Sequence, residues 1–305
     1  MSVAPTPPRV PRSYRALLAA VALLVVLAAA PRAASAFGVG SELARLDGVA
    51  LTVFTYRPLG CAEPSLLFVF HGNGRTAERY RDHALPLAES ACFLVFAPLF
   101  DKERFSNAHY HRGGLVDGGE VRPRPAWTTE LVDDLVTWAR TREGRPDAPF
   151  YLFGHSAGGQ FLSRVAAFAL PADAERIVVA NPSSYIVPSL EEAAPYGFGG
   201  VFTDEAVAEA QLRAYLALPL TVYIGDDDTG DEDLLDNEPA RRQGRHRRER
   251  GEQVYAAAAA LAQAQGWPFG WNKVYATGVG HSARGMLAAE EALTAFGFEI
   301  VEAAR

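Results

Sequence analysis

The sequence predicts an α/β fold with a doubly wound, mostly parallel sheet, on three observations. Short apolar runs alternate along the chain with longer stretches in which apolar residues recur every three or four positions. Several of the short runs are continuous rather than alternating, as strands are when helices cover both faces of a parallel sheet. At 305 residues, 49 % hydrophobic and 21 % charged, the composition is ordinary for a globular protein and ample for a sizeable core.

Taken in order, residues 1–15 carry Arg9, Arg12 and Arg15 and no acid, residues 16–30 are wholly apolar, and Pro31 stops any helix. Fifteen apolar residues are short for a bilayer, and Ala34-Ser35-Ala36 offers a small-residue cleavage site, so residues 1–36 read as a signal peptide. Residues 37–305 then form a single domain, secreted or periplasmic, with no stable membrane span in the mature chain. Removing the leader with its four arginines takes the net charge from −7 to −11. That balance disfavours nucleic acid as a partner. Two cysteines, Cys61 and Cys92, cannot frame a small disulfide scaffold or a four-cysteine zinc site, although export would permit them to pair.

Residues 49–56, 66–70, 93–97, 150–153, 177–180, 220–224 and 271–276 are expected as strands. Residues 76–89, 128–140, 157–170, 204–218 and 251–265 are expected as helices. Two irregular stretches, 100–126 and 181–200, interrupt the alternation and are candidate walls of a ligand crevice at the strand carboxyl ends. Their aromatics Trp127, Tyr185, Tyr196 and Phe198 suit an apolar acyl pocket or, equally for Trp127, the core. His109 and His111 lack a third ligand in view and read as cleft or surface residues, not as a metal site. From Asp226 to Glu238 eight of thirteen residues are acidic, and from Arg241 to Arg250 six of ten are arginine. Adjacent blocks of opposite sign are expected as a solvated, ion-paired surface.

The chemistry centres on Gly154-His155-Ser156-Ala157-Gly158, a G-x-S-x-G between an expected strand and an expected helix. A sharp turn exposes the Ser156 hydroxyl above the sheet edge, and the flanking glycines allow close backbone approach. A serine hydroxyl needs a base within hydrogen-bond reach, itself oriented by a carboxylate. The tetrahedral intermediate needs two donors, of which the backbone N–H of Ala157, at the start of the helix, is one.

With FVFHGNGRTAERYRD, GHSAGGQF and GVGHSARGM, the sequence resembles the α/β-hydrolase superfamily over nearly all of 49–300. Within it the chain is similar to secreted bacterial polyhydroxyalkanoate depolymerase-like esterases. The resemblance implies the order serine, acid, histidine, and only His246 and His281 follow Ser156. His281 follows the last expected strand, whereas His246 lies within the arginine run, so His281 is the expected base. Asp226, Asp227 and Asp228 all stand at the right strand end, and the family's G-x-x-D arrangement favours Asp228. His71-Gly72-Asn73-Gly74 resembles the family's H-G-x-G element. That implies a second oxyanion donor from the Asn73 N–H, with Gly74 the alternative, and a bracing role for His71. The family's strand order makes 66–70 and 93–97 neighbours, which would bring Cys61 and Cys92 together at one sheet edge.

The expected function is hydrolysis of a small-molecule or polymeric carboxylic ester through an acyl-enzyme, with no metal or organic cofactor. A peptidase or amidase of the same fold, and an inactive ligand-binding homologue, are the alternatives.

Overall fold

The computed structural model describes residues 38–299; the expected leader and its cleavage site lie outside them. The strands are β1 (Gly38–Leu46), β2 (Val49–Arg57), β3 (Ser65–Phe70), β4 (Phe93–Pro98), a two-residue hairpin β5 (Val116–Asp117) and β6 (Glu120–Val121), β7 (Phe150–His155), β8 (Arg176–Ala180), β9 (Leu220–Gly225) and β10 (Asn272–Ala276). Eight of them form one sheet in the order β1-β2-β4-β3-β7-β8-β9-β10. The β1–β2 and β2–β4 pairs are antiparallel and the remaining pairs parallel.

The continuous apolar runs become central strands because both of their faces are covered. Along β3, Leu66, Phe68 and Phe70 pack into one apolar layer while Leu67 and Val69 pack into the other. Helices α1 (Ala77–His83), α2 (Leu85–Ala91), α8 (Ala283–Ala288) and α9 (Ala292–Ala295) supply the second layer. Helices α3 (Leu131–Glu143), α4 (Ala157–Arg164), α5 (Glu205–Ala217) and α7 (Arg247–Gln265) supply the first. The short α6 (Glu238–Arg242) precedes α7.

Strand β1 has no counterpart in the sequence reading. Its GVGSELARL is half polar, and Val39 and Leu43 remain exposed on an edge strand, so no apolar run marks it. The expected helix 76–89 divides into α1 and α2 at Pro86, which occupies the first turn of α2.

Parallel pairing aligns the strand ends. Phe70 stands opposite Gly154, His155 opposite Ala180, and Gly225 opposite Ala276. The turns after β3, β7, β8, β9 and β10 therefore emerge side by side at one edge. At the opposite edge Cys61 and Cys92, just ahead of β3 and β4, form a disulfide with Cα atoms 5.7 Å apart.

Candidate active site

At the carboxyl edge, Ser156 links β7 to α4 with φ 58° and ψ −115°, a conformation a non-glycine residue seldom adopts. Its N–H donates to the Ala180 carbonyl over 3.0 Å, tying the turn to β8. A Cβ on Gly158 would collide with the Phe70 backbone, so only glycine lets α4 lie this close to β3.

The turn after β9 brings Asp228 inward, 2 % exposed. The loop after β10 carries His281, and the two segments are laced together. Asp226 Oδ1 accepts from the Gly278 N–H over 2.6 Å, and the Asp227 N–H donates to the Val279 carbonyl over 3.1 Å. Asn181, after β8, accepts from the Gly225 N–H over 2.8 Å and fixes the same turn from its other side. The structure thereby brings three of the expected residues into one chain. His281 Nδ1 lies 2.7 Å from Asp228 Oδ2, and His281 Nε2 lies 3.0 Å from Ser156 Oγ. His246 is elsewhere: it caps α7, its Nδ1 accepting from the Glu249 N–H over 3.2 Å.

Asp228 has a second partner that the sequence reading missed. Arg247 Nη1 lies 3.5 Å from Asp228 Oδ1, with both side chains 1 % exposed. Arg247 Nη2 also donates to the Glu232 carbonyl, and the Arg248 N–H donates to the Asp228 carbonyl over 3.2 Å. Arg250 is equally buried and donates to the carbonyls of Gly244, Ser183 and Leu235. The arginine block is therefore not a solvated surface throughout. Arg247 and Arg250 point inward from α7 and hold the acidic loop in place, while Arg241, Arg242, Arg245 and Arg248 make the surface ion pairs the composition implied. Carbonyl acceptors for buried guanidinium groups leave no trace in a sequence.

Asn73 and Ala157 line the same cleft as Ser156, a cavity of about 290 Å³. The loop behind Asn73 is rigid for a visible reason. His71 Nε2 accepts the Phe100 N–H over 3.1 Å, its Nδ1 donates to the Gly72 carbonyl over 3.0 Å, and the Tyr110 hydroxyl donates to the His71 carbonyl over 2.7 Å. Burial lowers the His71 pKa to about 4, so the ring is neutral and its Nε2 stays free to accept. His155 packs against His281 with ring centroids 4.7 Å apart and planes tilted by 33°, and burial together with its charged neighbours lowers its pKa.

The rest of the cleft mixes polar and apolar residues. The first irregular stretch contributes Asn107, His111 and Arg112, and the acidic loop contributes Asp233, Leu234, Leu235 and Asp236. Trp127, Tyr185, Tyr196 and Phe198 are buried instead in the core and line no part of it. Of the second irregular stretch, Ser183 alone reaches the cleft.

A serine on the turn after the central strand, in a sheet of this order, is the architecture of an α/β-hydrolase. Comparison with known proteins agrees. The chain superposes on LpqC, a poly(3-hydroxybutyrate) depolymerase from Bordetella parapertussis, with a TM-score of 0.78 and 32 % identity over 86 % of this chain and 92 % of that one. It superposes on poly(aspartic acid) hydrolase-1 from Sphingomonas sp. KT-1 with a TM-score of 0.75 and 34 % identity, over 82 % of this chain and 96 % of that one. A 148-residue stretch is 30 % identical to monoglyceride lipase of Mus musculus, covering 47 % of this chain and 45 % of that protein's length. No protein-family model matches. The chain belongs to the α/β-hydrolase family, and it is a hydrolase.

Proposed function

We propose that the protein hydrolyses carboxylic esters through a Ser156–His281–Asp228 triad. The observation that carries this reading is the hydrogen-bonded chain from Asp228 through His281 to Ser156, with contacts of 2.7 and 3.0 Å, on a strained turn facing a cleft. Ser156 Oγ attacks the ester carbonyl while His281 Nε2 takes its proton; Asp228 accepts from Nδ1 and stabilises the imidazolium that forms. The oxyanion is received by the backbone N–H of Ala157, with the positive end of α4 behind it, and by that of Asn73. His281 returns the proton to the departing alcohol, and water, activated by the same histidine, releases the acid.

The similarity to a depolymerase and to a lipase supports an ester substrate, small or polymeric. The similarity to a poly(aspartic acid) hydrolase keeps an amide bond as the second reading, since the same machinery cleaves both. Residues 37–305 serve as one catalytic domain, and residues 1–36 direct it to the periplasm or the exterior. Among the described residues no helix is long and apolar enough to cross a membrane.

Matched para-nitrophenyl ester and para-nitroanilide substrates test the reaction class. The ester is turned over much faster, and Ser156→Ala reduces kcat by a factor on the order of 10⁶ while leaving the melting curve in place. Retention of more than a few per cent of activity, or absence of labelling by a fluorophosphonate probe, removes the triad reading. Preferential anilide cleavage replaces esterase by amidase.

A further inference from the structure

The cleft beside Ser156 is electrically lopsided. Arg112 lines it, partly exposed, and its guanidinium makes no hydrogen bond and no ion pair among the described residues. Two more guanidinium groups converge behind that wall, and both donate to neutral acceptors alone, with Arg75 Nε buried and without a partner among the described residues. Arg75 donates to the Phe100 carbonyl over 2.7 Å and to Asn107 Oδ1 over 3.2 Å. Arg164, fully buried, donates to the carbonyls of Gln160, Ser184 and Pro195 and to the Ser184 hydroxyl. Among the described residues none of the three has a carboxylate within ion-pair distance, although Asp101 and Glu103 act on Arg75 from farther away, in a chain with 36 acidic residues and a net charge of −7.

The charges meet at His111. This ring lines the cleft, its Nε2 is buried without a partner, and burial together with Arg75, Arg112 and Arg164 lowers its pKa to about 3. His111 is therefore neutral and cancels none of the positive potential around it. The acidic loop brings the opposite sign to the same cleft, with Asp233 and Asp236, although Asp236 is partly offset by Arg241 at 3.2 Å. A low-dielectric wall behind an unpaired guanidinium favours an anionic group at its tip, and the acids of that loop fix which end of the cleft that group occupies.

Resting on the esterase reading of this site, we propose that Arg112 is a specificity-determining residue that receives an ionised carboxylate of the substrate, a few atoms from the scissile ester. Asn107, held by Arg75, supplies a neutral hydrogen-bonding group beside it. The preferred substrates are thus esters bearing a second, free carboxylate rather than neutral esters of the same length.

The experiment compares kcat/KM for matched esters that differ only in charge. Para-nitrophenyl pentanoate and para-nitrophenyl hydrogen glutarate place the carboxylate on the acyl side. Propyl acetate and its analogue with the terminal methyl oxidised to carboxylate place it on the alcohol side. An ammonium-bearing analogue of each neutral ester completes the set. The expected result is a preference for the carboxylate-bearing ester in at least one pair, about 10- to 100-fold over its neutral partner. That ratio should collapse toward one in Arg112→Gln, persist in part in Arg112→Lys, and shrink as salt is raised. A ratio near one in the native enzyme, a preference for the ammonium ester, or a ratio untouched by Arg112→Gln overturns the proposal. Failure of the esterase reading looks different: none of the neutral esters is then turned over in a Ser156-dependent way.

Discussion

Asp226, Asp227 and Asp228 are adjacent in the chain and have three different surroundings. Asp228 is buried against His281 and Arg247, Asp226 binds the backbone of the loop that carries His281, and the Asp227 side chain faces solvent. Replacing each by asparagine separates them. Asp228→Asn should lower kcat by about 10⁴, because the amide orients the wrong imidazole tautomer and stabilises no imidazolium. Asp226→Asn weakens one charge-assisted hydrogen bond and should cost about tenfold or less, and Asp227→Asn should leave the rate close to native. Kinetics on one activated ester checks all three, and a collapse at Asp226 or Asp227 with Asp228→Asn active would reassign the acid. Arg247→Met removes one member of a buried charge pair and leaves the Asp228 charge without compensation, a loss of about 3–5 kcal/mol of stability by urea unfolding.

At the scale of elements, the position of α4 depends on how close it can come to β3. Gly158→Ala places a methyl against the Phe70 backbone, which must be relieved by moving the helix. The expected cost is about 1–3 kcal/mol or more, accompanied by lost activity because the Ala157 N–H moves with the helix. A variant with unchanged melting temperature and rate would contradict the close approach. The disulfide lies at the far edge of the sheet, ahead of β3 and β4 and away from the chemistry. With its cysteines 31 positions apart, the chain-entropy model assigns it about 3–4 kcal/mol. Cys61→Ser with Cys92→Ser should therefore lower the melting temperature and leave kcat/KM nearly untouched; an equal loss in both would tie the far edge to the site.

For the whole molecule, buried neutral histidines make stability depend on pH. His71 and His111 have folded-state pKa values of about 4 and 3, below the 6.5 of a free imidazole, and burial lowers His155 as well. Between pH 6.5 and the folded values the unfolded chain binds more protons than the native one, so stability is greatest above that window and falls as pH drops through it. From pH 7 to pH 5, above most carboxylate titration, His71 and His111 should each remove about 1–2 kcal/mol, with His155 adding in the same direction. Urea midpoints across that range check this, and a flat profile would mean that the three rings are not buried neutral.

The alternation of continuous apolar runs with amphipathic stretches determined the layers of this protein and most strands of its sheet, because burial on both faces leaves a mark on every residue of a strand. The Gly154–Gly158 pentapeptide likewise marked its own turn, since close backbone approach tolerates only glycine there. Family resemblance also supplied the expected order of acid and base after Ser156, and the fold brings Asp228 and His281 within hydrogen-bond distance in that order. Edge strand β1 was not, as a strand with one solvated face and half-polar composition resembles a loop. Long-range packing turns Arg247 and Arg250 inward, brings the acidic loop to the cleft, and places in the core the aromatics offered for an acyl pocket. The inward turn of the two arginines depends on partners up to 67 residues away, several of them backbone carbonyls. Every residue type carries a carbonyl, so no local pattern in a sequence can announce which one a buried guanidinium will find.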